Sequence, residues 1–167
     1  MTTELTPDLI ERFVAVVGEK YALRNPEDIA PFMLDHRDRY FNSAQLVLRP
    51  GNVDEISQIL KLATETGVAI VPQGGGTGLV GAGIPLTGDT NSIVVSTGRL
   101  NKILDVDAAS NVMLVEAGVI LQNIQEAADE ADRLFPLSLA SDGSCRIGGC
   151  LSTNAGGVNV LRYGNAR

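Results

Sequence analysis

The feature that most constrains the fold is a glycine-rich segment, residues 72–83, which reads PQGGGTGLVGAG. Six of the eleven residues from 73 to 83 are glycine, and the segment directly follows the short apolar stretch 68–71. Glycine loses more backbone entropy on folding than any other residue, so such a run lowers stability. It is tolerated where the backbone must approach another group closely, because successive N–H groups can then converge on an anion. The segment therefore predicts a phosphate-binding loop that follows a strand.

Three other interpretations of this loop are weaker. A flexible linker would contain more serine and would not directly follow an apolar strand. Residues 76–81 match the dinucleotide pattern G-x-G-x-x-G, but that pattern should open a helix and be followed about 20 residues later by an acidic residue. Here glycine and proline interrupt residues 83–88, and the next strand ends in residues 96–99, STGR, without an acid. The ATP-binding pattern fails because no lysine lies between residues 67 and 101.

A second glycine-rich segment, residues 141–157, reads SDGSCRIGGCLSTNAGG. Its glycine pairs flank the polar run of residues 152–154, Ser-Thr-Asn. Small hydroxyl and amide side chains beside glycines suit hydrogen bonding to a flat polar ring or a ribityl chain. Loops of this composition also occur without any ligand, so this segment alone leaves both interpretations open.

Helices and strands alternate along the rest of the chain. Apolar periodicity predicts helices that end near glycine or alanine, at residues 6–18, 52–67 and 118–131. Short apolar runs predict strands at residues 45–48, 68–71, 93–96 and 112–116. This order predicts an α+β fold with two α/β lobes. We expect a helical and irregular N-terminal segment at 1–43, a first lobe at 44–106 and an incomplete second lobe at 107–167.

Composition limits the partners. The net charge of −7 disfavours nucleic acid, because an acidic chain repels a phosphate backbone at long range. It does not exclude one phosphorylated cofactor, which backbone N–H groups can hold. No apolar run approaches the ~20 residues of a membrane span, and the N-terminus lacks the basic and apolar regions of a signal peptide. These features predict a cytoplasmic protein.

Cysteine and histidine are scarce. Two cysteines, Cys145 and Cys150, are too few for a disulfide framework or a metal site, so we expect reduced thiols and no metal. The only histidine, His36, lies in the charged stretch 35–39, DHRDR. That stretch is interpreted as a surface loop, with an entry loop near a ligand as the alternative.

Three segments taken together resemble a known family: PQGGGTGLVGAG, then FPLSLASDGSCRIGGCLSTNAGG, then RYGNAR. In this order they resemble the FAD-binding domain of the p-cresol methylhydroxylase and vanillyl-alcohol oxidase type. The nearest branch is that of the D-lactate, D-2-hydroxyglutarate and glycolate dehydrogenases, and the resemblance covers about residues 40–167. It implies two α/β lobes of the FAD-linked oxidase N-terminal type with FAD between them, and a second lobe truncated at the C-terminus. We expect the chain to be a piece of a longer protein.

The resemblance also implies two sets of cofactor contacts. The residues expected to wrap the pyrophosphate are Pro72, Gln73, Gly74, Gly75, Gly76, Thr77, Gly78 and Leu79. The residues expected to contact the ribityl chain, the isoalloxazine or the adenine side are Pro136, Ser141, Gly148, Gly149, Thr153, Asn154, Gly157 and Val158. Some members of the superfamily tether FAD through a histidine in the glycine loop; this loop has none, so non-covalent FAD is expected. Cys150 stands where the branch often has asparagine, which predicts one lost or rerouted cofactor contact.

In enzymes of this branch a 2-hydroxy acid gives a hydride to flavin. Their substrate-binding arginines, catalytic histidines and metal ligands lie in a C-terminal half, so catalytic residues are expected beyond residue 167. The chain alone is expected to be inactive, with the 2-hydroxy acid bound by the missing half and the electron acceptor unassigned. Two alternatives remain: another oxidoreductase on the same scaffold, of the aldonolactone oxidase or cell-wall precursor reductase type, and a non-catalytic nucleotide-binding module.

Overall fold

The computed structural model describes residues 3–86, 88–89 and 91–167, which form two compact units that divide between Arg99 and Leu100. The sequence places the lobe boundary after Val106 instead, and it separates residues 1–43 from the first lobe. The structure differs for two reasons. The N-terminal helix packs into the same core as the first sheet, and residues 103–107 pair with the next strand of the second unit.

The first helix, α1 (Pro7–Val17), forms where the sequence predicts it. The Thr6 hydroxyl accepts a hydrogen bond from the Leu9 N–H at 3.3 Å, and Pro7 occupies the first helical position. The helix ends at Gly18, whose N–H donates to the Val14 carbonyl. Its apolar face is buried against the sheet, so α1 anchors the N-terminus to the core of the first unit.

The first unit contains a four-stranded sheet. Its strands are β1 (Ala22–Leu23), β2 (Val47–Leu48), β3 (Ile70–Gln73) and β4 (Ile93–Ser96). They lie in the order β1-β2-β4-β3, with β1 antiparallel to β2 and the other pairs parallel. The sequence predicts the last three strands to within a few residues but misses β1, a two-residue strand. The short helix α2 (Pro26–Ile29) and a 3₁₀ turn (Ala30–Phe32) lead from β1 towards β2.

Helix α3 (Val53–Thr66) connects β2 and β3, and β4 lies between those two strands in the sheet. Asn52 caps the helix, because its side-chain oxygen accepts from the Glu55 N–H at 2.8 Å. Ile59 and Ala63 face the core as expected, whereas Leu60 is 48% exposed and does not belong to the buried face. The glycine loop therefore starts from a strand that is fixed by a well-capped helix.

The second unit contains two strands and three helices: β5 (Ile103–Asp107), β6 (Val112–Val115), α4 (Leu121–Glu130), α5 (Ile147–Ser152) and α6 (Val160–Tyr163). The two strands pair antiparallel. Val119, Leu121 and Ile124 are buried in this unit's own core together with both cysteines. Among the described residues of the whole chain, no helix has the length and apolar character needed to cross a bilayer.

Candidate cofactor-binding site

The glycine loop, residues 72–83, leaves the carboxyl end of β3 beside the carboxyl end of the parallel strand β4. Ligands of open α/β sheets bind at this edge. From Gly74 to Gly83, no backbone N–H donates a hydrogen bond to another described residue. The loop thus presents a run of N–H groups that the described protein itself does not use, which is the donor set an anion requires.

Glycine is needed for different reasons at two positions of the loop. Gly76 has φ +68°, a left-handed conformation that L side chains rarely adopt. Gly78 has no such constraint, and a Cβ added there would meet nothing within 4 Å. Packing within the described protein therefore gives no reason for glycine at Gly78. The open space in front of it fits a group that must approach the backbone, as a pyrophosphate would.

The Gln73 side chain is held within the protein. It is 6% exposed, and its amide nitrogen donates to the Phe32 carbonyl at 2.9 Å and to the Gly83 carbonyl at 2.8 Å. The Gln73 carbonyl accepts from the Thr97 N–H at 3.0 Å. Gln73 thus ties the two ends of the glycine loop together.

Residue Asp35, which the sequence places in a surface loop, is buried beside the glycine loop. Its carboxylate accepts from the N–H groups of Arg39 at 2.6 Å and Tyr40 at 2.8 Å, and more weakly from that of Arg37. The Tyr40 N–H is the main cause that lowers the pKa of this carboxyl below its ordinary value. Asp35 is therefore ionised at neutral pH. The sequence signal was only that of an aspartate at the start of a polar turn.

A small cavity of about 30 Å³ lies between Asp35 and the loop residues Gly76, Gly78 and Gly81. This volume is far below the roughly 300–1,000 Å³ of ligand pockets. A dinucleotide cannot enter such a space, so a cofactor at this place would lie across the N–H groups of the loop. Asp35 lines this cavity, and its ionised carboxylate is already bonded to three N–H groups. The negative charge repels an anion, so the anion site does not lie against Asp35.

The second glycine-rich segment is partly helical, since α5 covers residues 147–152. A Cβ on Gly148 would lie 2.8 Å from the Ala117 carbonyl oxygen, and one on Gly157 would lie 2.1 Å from that of Ser138. Both glycines are required by close backbone packing. Gly149 is different, because a Cβ there would meet nothing within 4 Å.

The polar side chains of this segment divide in the same way. The Thr153 hydroxyl donates to the Gly149 carbonyl at 2.8 Å, which stabilises the last turn of α5. The side chains of Asn154 and Ser141 make no hydrogen bond to another described residue. Val158 is 81% exposed. The side chains of Asn154, Ser141 and Val158 thus remain available to a ligand.

A larger cavity of about 290 Å³ opens beside Pro136, lined also by Phe135, Ser138 and Asn159. Its volume is at the lower limit of ligand pockets, about 300 Å³. The Asn159 amide donates to the Pro136 carbonyl at 2.9 Å and fixes this wall. Among the predicted contacts only Pro136 lines the cavity, and Asn159 was not among the contacts predicted from the sequence.

Both cysteines are free and buried in the core of the second unit. Burial, with the neighbouring Cys145 thiol, raises the pKa of Cys150 to about 12. The Cys150 thiol is therefore protonated at neutral pH and is a poor nucleophile. Among the described residues, no group of three or more His, Cys, Asp and Glu side chains is arranged to hold a metal ion.

Comparison with known proteins gives a family. The model of a family described as FAD binding domain matches residues 44–167. The chain is 40% identical to D-2-hydroxyglutarate dehydrogenase of Arabidopsis thaliana, over 93% of this chain and 27% of that protein. It is 36% identical to a putative D-lactate dehydrogenase of Schizosaccharomyces pombe, over 97% of this chain and 32% of that protein. The chain thus spans less than a third of the length of these relatives.

Solved structures agree on the fold. The chain aligns with alkyldihydroxyacetonephosphate synthase at a TM-score of 0.86 and 20% identity, over 98% of this chain and 32% of the other. With p-cresol methylhydroxylase the TM-score is 0.68 at 19% identity, over 90% of this chain and 29% of the other. The expected fold of the FAD-linked oxidase type is therefore confirmed.

The comparisons also correct one expectation. The relatives from Arabidopsis thaliana, Schizosaccharomyces pombe and Danio rerio are named as mitochondrial proteins. The prediction of a cytoplasmic protein is wrong on this evidence. It was drawn from composition and from the first residues of the chain, and neither is sufficient to assign a compartment.

Proposed function

The chain belongs to the FAD-binding domain family, and from that premise we propose that it holds the flavin cofactor of a longer oxidoreductase that oxidises a 2-hydroxy acid. In this proposal the pyrophosphate of FAD lies across the N–H groups of residues 74–79. FAD is bound without a covalent link. Bound FAD supplies a two-electron acceptor for the hydride of the substrate, and the chain's own residues position the cofactor.

The observation that carries the proposal is the glycine loop with its unused N–H groups and the open space at Gly78. The loop residues 72–83 contain no lysine or arginine, so the phosphates would be held without a cationic side chain of the loop. Each hydrogen bond to a charged group contributes about 1.5–3 kcal/mol. Three or four such bonds would suffice to seat a pyrophosphate in an acidic protein.

The second set of contacts is proposed from the same kind of observation. Gly149 has open space where a ring or ribityl chain would approach, and the side chains of Ser141 and Asn154 have no partner among the described residues. Gly148 and Gly157 would contribute by shaping the backbone. The Cys150 side chain is 5% exposed, so its thiol faces the core and would not replace an amide contact to the cofactor.

The substrate proposal is supported by the names of the relatives. They are dehydrogenases of D-2-hydroxyglutarate and D-lactate, and one from Saccharomyces cerevisiae is a D-2-hydroxyglutarate–pyruvate transhydrogenase, 40% identical over 84% of this chain. We therefore propose a 2-hydroxy acid of the D-lactate, glycolate or D-2-hydroxyglutarate type. Because the chain spans a minor part of these relatives, we assign it no catalytic residue and no electron acceptor.

A titration with FAD tests the cofactor proposal. FAD at 100 times its Kd should stabilise the folded protein by about 2.7 kcal/mol, visible as a higher melting temperature. Gly78→Asp places bulk and a like charge where the pyrophosphate would lie, and FAD affinity should fall at least about tenfold, which is ~1.4 kcal/mol. The charge control is Ser57→Asp on the exposed face of α3, which should leave affinity unchanged.

Two results would contradict the proposal in different ways. If FAD does not raise the melting temperature of the unsubstituted chain, called the parent below, the chain does not hold the cofactor. If the parent responds but Gly78→Asp binds FAD as the parent does, the glycine loop is not the pyrophosphate site.

A further inference from the structure

The segment formed by residues 32–42 contacts the glycine loop region at three separate points. The first point is Gln73, whose side-chain amide joins the Phe32 carbonyl to the Gly83 carbonyl. One nitrogen atom therefore connects the start of the segment with the end of the loop. If either end moves away, this buried amide loses one of its two hydrogen bonds.

The second point is the ring of Tyr40, which lies against Gly81. A Cβ added to Gly81 would be 2.9 Å from the Tyr40 Cγ, and Gly81 itself has φ +72°. Any residue other than glycine would collide with the ring. Tyr40 is 48% exposed, so its ring covers the loop backbone on one side while part of the residue remains open to solvent.

The third point is the side-chain amide of Asn42. It donates to the carbonyls of Pro85 at 3.2 Å and Asp89 at 3.3 Å, and also to that of Leu86. The Asn42 N–H donates to the Met33 carbonyl at 3.2 Å, which closes the base of the segment. Asn42 therefore joins the segment to the chain directly after the glycine loop.

Asp35 keeps the segment itself in one conformation. Its carboxylate is bonded to the N–H groups of Arg37, Arg39 and Tyr40, and its own N–H donates to the Tyr40 carbonyl at 3.1 Å. Asp38 completes the turn with φ +54°. These bonds hold Tyr40 where its ring meets Gly81, so the segment is fixed internally as well as to the loop.

We propose that residues 32–42 position the glycine loop for FAD, with Tyr40 and Asn42 as the positioning residues. The inference rests on the proposed function of the loop. A loop with six glycines among residues 74–83, whose N–H groups are not bonded to the described protein, has little internal reason to keep one shape, so an external support is needed. Holding the loop in its bound shape raises affinity, because less ordering is required when the ligand binds. The segment precedes residue 44, where the family match begins.

The experiment measures loop order and FAD affinity separately. In the protein without FAD, ¹⁵N relaxation gives order parameters for the glycine amides of the loop; about 0.85 indicates a rigid backbone and below about 0.6 a flexible one. We expect rigid values in the parent and flexible ones in Asn42→Ala. FAD affinity, measured by flavin fluorescence, should be about tenfold weaker in that variant because preorganisation is lost.

Tyr40→Ala provides a second variant, since it removes an exposed ring and should fold even if Asn42→Ala does not. The matched control is Asn25→Ala, because the Asn25 side chain donates only to the exposed Asp28 carboxylate and does not contact the loop. This control should keep the loop order and FAD affinity of the parent.

The outcomes separate the two proposals. If the loop remains ordered in the folded variants, the positioning role is wrong, whatever FAD does. If loop order falls but FAD affinity matches the parent, the segment does not position the loop for FAD. If the parent itself does not bind FAD, the proposed function fails, while the order parameters still decide whether the segment fixes the loop.

Discussion

At the scale of single residues, the glycines of the two candidate segments have different reasons to be glycine. Gly157 combines a positive φ with a backbone oxygen 2.1 Å from where a Cβ would stand. Gly78 and Gly149 have ordinary backbone and open space. The sequence shows the same letter in all three places. Only the surroundings indicate which glycines the fold needs and which ones leave room for a ligand.

We predict opposite consequences for two alanine substitutions in the second unit. Gly157→Ala forces a left-handed alanine against the Ser138 carbonyl and should lower the free energy of unfolding by at least about 1–3 kcal/mol. Gly149→Ala adds a methyl group to α5 in open space and should be neutral or stabilising by up to about 1 kcal/mol, while FAD affinity falls. Urea unfolding and FAD titration measure both effects. Equal stability losses in the two variants would contradict this distinction.

At the level of residues, the sequence predicts where the glycine loop lies, directly after β3, but not the side chains that support it. The loop was recognisable because glycine density is a local pattern. Asn42 was not, since its partner Pro85 lies 43 residues away in the chain. Asp35 satisfies N–H groups within five residues, but its burial beside the loop depends on tertiary packing. Contacts of this kind leave no periodic or compositional trace in a single sequence.

At the scale of elements, the helices with strong local signals were predicted, whereas α5 and α6 were missed. Helices α1 and α3 carry both a polar cap and a closing glycine, which single-sequence rules detect. Helix α5 begins with Ile-Gly-Gly, which disfavours a helix. It forms because Ile147 and Cys150 are buried in the core and the hydroxyls of Ser152 and Thr153 bond to carbonyls one turn earlier. Tertiary packing outweighed propensity there.

The cap of α3 gives an element-level prediction. Asn52 and Glu55 bond to each other in both directions, and the second Glu55 oxygen accepts from the Gly51 N–H at 2.8 Å. Asn52→Ala removes the cap and should lower the free energy of unfolding by about 1 kcal/mol. Ser57→Ala, in the exposed middle of the same helix, is the control and should cause no loss. If denaturation gives the same midpoint for both variants, the cap does not stabilise α3.

At the scale of the whole molecule, the histidine and cysteine side chains that could tether a flavin are few. The chain has one histidine and two cysteines. Both cysteines are buried, and the pKa of about 12 for Cys150 keeps its thiol protonated. The histidine lies closer to the glycine loop than the sequence indicates. His36 is exposed and directly follows Asp35, which lines the cavity beside Gly76 and Gly78.

We predict that FAD is nevertheless bound without a covalent link. Both thiols are buried in the core of the second unit, and the one histidine lies outside the glycine loop in a turn whose backbone is fixed by Asp35. Acid precipitation of the FAD-loaded protein should therefore release all flavin into the supernatant, and the denatured chain should have its unmodified mass. Flavin retained in the pellet would contradict the prediction. In that case His36→Ala decides the site of attachment, because loss of the retained flavin in this variant would assign the link to His36 and its persistence would assign it to another side chain.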